Sequence, residues 1–77
     1  MNKTKAVLEH LLQYGRIDTW TAIREYGATR LSAIVYNLRY NYELNIVSKD
    51  LENVDRYGNK VFYTEYYLVK DAENERN

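Results

Sequence analysis

The 77-residue chain contains no cysteine, no proline, three glycines and a single histidine. Without cysteine there is neither a disulfide nor a cysteine-ligated metal site, and the redox compartment leaves no mark on the composition. One histidine, His10, cannot supply the ligand set of a zinc centre. No apolar run approaches the ~18 residues that a membrane-spanning helix requires. The N-terminal stretch MNKTKAVLEHLLQYGR starts basic, but Glu9, His10 and Gln13 interrupt its apolar residues. A signal peptide needs an unbroken apolar segment followed by a small-residue cleavage site. There is no glycine-rich phosphate loop, no cysteine nucleophile, no serine–histidine pairing across a plausible pocket and no cluster of metal-ligating residues. The expectation is a soluble, cytoplasmic protein with no membrane association, no cofactor and no enzymatic activity.

Charge of one sign is also missing. Eleven basic and eleven acidic residues cancel. The average hides a gradient, because Asp71, Glu73 and Glu75 against Arg76 give residues 71–77 a net −2 and leave residues 1–70 at +2. That surplus is well below the strong basic footprint of many nucleic-acid binders. The expected organisation is one domain over residues 1–70 and an acidic, disordered tail over residues 71–77. A domain of this size buries only about 60% of the surface of its unfolded chain. What the chain has in excess is tyrosine, nine in all, more than such a core can take in. Some tyrosines must therefore be exposed.

Over residues 4–14 Val7, Leu8, Leu11, Leu12 and Tyr14 fall on one arc at helical spacing, and Gly15 ends the run. Ile17, between polar neighbours in residues 16–18, suits one short β-bridge. Asp18 is a good N-cap for a second helix, TWTAIREY, with Trp20, Ala22, Ile23 and Tyr26 apolar and Gly27 as a left-handed stop. Thr29 is expected to cap a third helix, with Leu31, Val35, Leu38 and Tyr42 on its buried face and Ile34 at the edge. From Leu44 the pattern turns to strand. Ile46, Val47 and Val54 are β-branched, and VFYTEYYLV, residues 61–69, is a strong strand former. Residues 51–60 read as the connection, with Tyr57-Gly58-Asn59 as its turn. Placing Phe62, Thr64, Tyr66 and Leu68 inward leaves Val61, Tyr63, Glu65, Tyr67 and Val69 outward, with Glu65 in water. There is no repeat and no internal linker.

Helix, short strand, helix, tight turn, helix and two-stranded hairpin is the order of an α+β winged helix-turn-helix. The segment IDTWTAIREYGATRLSAIVYNLR, residues 17–39, resembles a phage-type helix-turn-helix family of small DNA-binding or regulatory proteins of phages and prophages. Ile17, Ala22, Tyr26, Gly27, Thr29, Arg30, Leu31, Ala33, Leu38 and Arg39 stand at matching positions. The chain departs from that pattern at Ile34, where the family often has arginine, and at Tyr40 and Asn41, where basic residues usually follow. The usual glycine after the third helix is absent, and the link to the first wing strand reads as longer.

The resemblance implies that the third helix enters a major groove and reads base edges with its exposed side. That side carries Thr29, Ser32, Ala33, Tyr36, Asn37 and Tyr40, with Arg30 at the flank. Arg30 suits guanine or phosphate, and Asn37 suits adenine. Thr29 suits a phosphate, its plain alternative being a helix cap. Arg39 is expected to brace the fold through a carboxylate such as Glu25 or Glu43. Lys49, Arg56 and Lys60 make the wing a candidate for backbone contact, although Asp50, Glu52 and Asp55 interleave with them. Lys3 and Lys5 add further candidates for backbone contact. His10 is expected to face solvent. The implied partner is double-stranded DNA, with transcriptional regulation as the role and a homodimer left open. The competing expectation is a protein-binding winged helix, such as a small phage inhibitor of a host or defence protein. Tyr36, Tyr40 and the outer wing tyrosines Tyr63 and Tyr67 would be its contact surface, since tyrosine is a leading hot-spot residue.

Overall fold

A computed structural model describes residues 2–69. Helix α1 spans Lys3–Tyr14, strand β1 Arg16–Asp18, α2 Thr19–Tyr26, α3 Leu31–Asn41, β2 Asn45–Val54 and β3 Lys60–Val69. The expected order of elements is the observed one. The acidic tail assigned to residues 71–77 lies outside the described residues.

Local chemistry explains most of the boundaries. The Asn2 side chain accepts from the backbone N–H of Thr4 and Lys5 and so caps α1, which Gly15 closes at φ +82°. Asp18 caps α2 as expected, accepting from Trp20 N, Thr21 N and the Thr21 hydroxyl. Burial alone would raise this carboxyl; the donors from Thr21 and Trp20 overcome it and hold Asp18 below its ordinary 3.8. Gly27, at φ +65°, ends α2, and Ala28 N–H bonds back to Ala22 O at 3.0 Å. Ala28 is buried at this reverse bond, which fixes the four-residue turn over residues 27–30 before α3.

The expectation for Thr29 needs correction. The cap position of α3 is Arg30, and no side chain caps the helix there. Ala33 N and Ile34 N both bond to Arg30 O, so the helix starts one residue later than a Thr29 cap would place it. The far end of α3 explains the missing glycine. Leu44 N–H reaches Leu38 O at 3.2 Å in the same reverse pattern, and Glu43 holds the left-handed position at φ +57°. This closing turn spends only residues 42–44 before β2 begins, so the link is short rather than long.

The three strands form an antiparallel sheet in the order β1-β3-β2. Ile17 lies opposite Tyr66, and Ile46 opposite Leu68. The ladder continues to Val54 opposite Lys60, so residues 51–54 and 60 belong to strands and the connection is shorter than expected. Leu51 and Asn53 alternate in register with Tyr63 and Val61, which is what extends the pairing. Asp55 makes the turn, accepting at its side chain from Tyr57 N and Asn59 N, with Gly58 at φ +86°.

The core gathers Val7, Leu11, Ile17, Ala22, Ala28, Leu31, Val35, Leu38, Ile46 and Tyr66, with Leu8, Tyr26, Ile34, Leu44 and Leu68 packed around it. Several expected inward residues stay outside. Leu12 and Tyr14 fall at the edge of the α1 arc, Trp20 and Ile23 flank α2, and Tyr42 sits at the open end of α3. Phe62 shares the face of Tyr66 and Leu68 yet is 68% exposed, because the hairpin runs on past the helices. Glu65 is not in water: its side chain is 16% exposed, 3.8 Å from Arg16 Nε. Pairing of β1 beside it supplies that arginine, and Tyr67 donates its hydroxyl to the same carboxylate.

Candidate nucleic-acid interface

Leu31, Val35 and Leu38 bury one side of α3, and the 100° step per residue turns Ala33, Tyr36, Asn37 and Tyr40 away from the core. The two tyrosines are 64% and 66% exposed, with ring centroids 4.5 Å apart and planes tilted by 47°. They are one helical turn apart and cover each other, so the middle of the exposed face is an aromatic pair. Asn41 Nδ2 donates to Asn37 Oδ1 at 2.7 Å and orients that amide.

Toward α1 the helix borders an open groove of about 380 Å³ lined by Lys3, Thr4, Ala28, Thr29, Arg30, Ala33, Ile34 and Asn37. The Asn2 cap determines where α1 starts, and so puts Lys3 at this groove. Lys3 Cε lies 4.0 Å from the position a Cβ would take on Gly27. Lys3, Arg30, Thr29 and Asn37 together offer two cations, a hydroxyl and an amide beside the start of α3. Lys3 was visible in the sequence as a basic residue; its pairing with Arg30 required the packing of α1 on α3.

On the other side of α3, Arg39 donates from Nε to Ile46 O at 2.9 Å. The expected carboxylate brace is therefore a carbonyl. The tight turn over residues 42–44 brings the start of β2 within its reach, ahead of any acidic side chain.

The wing cations are spread rather than gathered. Lys49 is paired in register with Glu65 on the sheet face away from the helices. Lys60 lies on the helix side, 3.6 Å from Glu52, and Arg56 stands exposed in the turn. Ser32 is exposed on the wing side of α3. His10 is half-buried rather than solvent-facing, with Nδ1 2.8 Å from the Tyr26 hydroxyl and its ring 4.6 Å from that of Tyr14. Burial, and then the charge of Glu25, raise Tyr26 above its ordinary value. Among the described residues no helix is long and apolar enough to cross a membrane, and no three potential ligands cluster for a metal.

The model of a winged helix-turn-helix domain family matches residues 2–71. The chain belongs to that family, whose fold suggests DNA binding. No curated protein and no solved structure gives a significant match.

Proposed function

We propose that the domain binds double-stranded DNA and acts as a transcriptional regulator of a phage or prophage, in the cytoplasm of a bacterial host. It works by binding, not by catalysis. Helix α3 lies in the major groove and presents Arg30, Asn37 and the Tyr36–Tyr40 pair to base edges and sugar-phosphate. Lys3 holds the backbone on one side, and the wing tip with Arg56 holds it on the other. The observation that carries this reading is the joining of Lys3, Thr29, Arg30 and Asn37 in one groove along the exposed side of α3. Near-neutral charge argues for modest affinity with specificity drawn from direct contacts, since phosphate contacts chiefly position a protein. The test is selection of bound duplexes from a random pool at moderate salt. A defined motif is expected, with log K falling against log salt at a slope of about −3 to −4.5 for three to five cationic contacts. Absence of binding to every duplex at low salt would overturn it.

A second reading is favoured by one observation, the exposed aromatic pair on α3. There the helix docks on a host protein and the groove is incidental. Tyr36→Ala and Tyr40→Ala separate the two. On DNA each costs about 1 kcal/mol, one hydrogen bond's worth, whereas at the centre of a protein interface each costs roughly 2 kcal/mol or more.

A further inference from the structure

Past Ile46 the hairpin runs on beyond the helices, and the alternation of β2 turns its apolar residues to the other face of the sheet. Here Ser48, Asp50 and Glu52 take the helix-side positions, while Val47 and Leu51 point outward. On β3 Val61, Tyr63, Tyr67 and Val69 join them. Trp20, 49% exposed, stands beside this face where β1 has ended. With Leu51, Val61 and Tyr63, and with the polar Asp18, Asn53 and Glu65, it borders a shallow depression of about 300 Å³. Apolar residues on both sides of the Lys49–Glu65 row give this face the character of an interaction site.

We propose that the occupant is a second copy of the chain, packed outer face to outer face about a two-fold axis parallel to the strands. The charges on the face fit a copy of itself. Arg16 and Lys49 balance Asp18 and Glu65, so two such faces carry no net repulsion. The register also sets Asp18, Glu65 and Lys49 in one row, negative at the β1 edge and positive at the β2 edge. An axis parallel to the strands lays each β1 edge over the partner's β2 edge, and Lys49 then meets the acidic end of the row twice. An axis across the strands would set Lys49 against Lys49. The parallel axis also leaves both hairpin turns pointing the same way, so both wings can approach one duplex. The dimer stands on the sheet face alone and is measured without DNA.

Sedimentation equilibrium of the full chain tests it. The expected result is a monomer–dimer equilibrium at micromolar protein that Leu51→Glu weakens at least thirtyfold, roughly what loss of a central contact costs. Lys49→Glu should weaken it too, and more at low salt than at high salt, while Glu52→Gln on the opposite face leaves it unchanged. Both outer-face variants should keep a cooperative melt. The chain has no cysteine of its own, so Lys49→Cys reports the axis. It should not cross-link to its mate under oxidation. A wild type monomeric at high micromolar protein overturns the proposal, as does a dimer indifferent to Leu51→Glu. Ready disulfide formation by Lys49→Cys, which would place the axis across the strands, also overturns it.

Discussion

The helical half and the wing hold apolar residues by different means. Val7, Leu11, Ala22, Leu31, Val35 and Leu38 are buried on three short helices, whereas the two ten-residue strands of the wing bury only Ile46 and Tyr66. The helices are held by what they exclude from water. The wing is held by its ladder, by β1 pairing along Arg16–Asp18 and by the Asp55 turn. Exposed apolar residues of the wing such as Val47 and Phe62 are therefore free for contact, while Val7, Leu11, Ala22, Leu31, Val35 and Leu38 are committed to the fold.

The largest expected effect tests that division directly. Leu11→Ala, at a fully buried position, should cost about 2–5 kcal/mol in urea unfolding. Phe62→Ala, a larger truncation on the wing, should stay within about 0.5 kcal/mol. Equal losses would mean that the hairpin packs on something. Next, Arg30→Ala should cost ~1–3 kcal/mol of discrimination at one base pair if the residue reads guanine, measured by competition between site variants. An equal loss on all sequences would make it a phosphate contact. It should leave stability unchanged, since no side-chain bond of Arg30 caps α3.

Asp18 gives a smaller effect with a pH signature. Removing this cap in Asp18→Ala should cost about 1 kcal/mol near neutral pH. Because its folded pKa lies below 3.8, its contribution is full above that value and is lost as pH falls through the lower folded value. The melting temperatures of wild type and variant should then converge in acid, and a constant gap would place the effect in packing instead. The smallest effect is a gain. Glu43 sits at φ +57°, where a side chain costs energy and glycine does not. Glu43→Gly should raise stability by about 0.5–1 kcal/mol in thermal unfolding. A loss would show that the Glu43 side chain has a structural task.

The sequence carried the element order because its punctuation is local. Asp18, Gly15 and Gly27 act on their own neighbours, and the structure uses each as the pattern implied. Thr29 failed as a cap because the buried Ala28 turn, a tertiary constraint, shifts the start of α3. Glu52 and Asn53 disfavour strand, so residues 51–54 look like connection in sequence; cross-strand pairing with Phe62 and Val61 overrides that preference. Glu65, His10 and Arg39 were misplaced for a common reason. Their partners, Arg16, Tyr26 and Ile46 O, come from other elements. The exposed face of α3 followed from helical spacing alone, but the groove shared with Lys3 depended on how α1 packs.

The hydrogen bond from Arg39 to Ile46 O lies where β2 leaves the core. Beyond Lys49, level with the end of the β1 pairing, the hairpin is a lever, about 17 Å of strand to Val54 at ~3.4 Å per residue. At that length a tilt of roughly 10° displaces the tip by about 3 Å, more than half the spacing of neighbouring strands. The Arg39 guanidinium thus joins α3 to the root of that arm, so a tilt of the helix against the sheet would be magnified at Arg56.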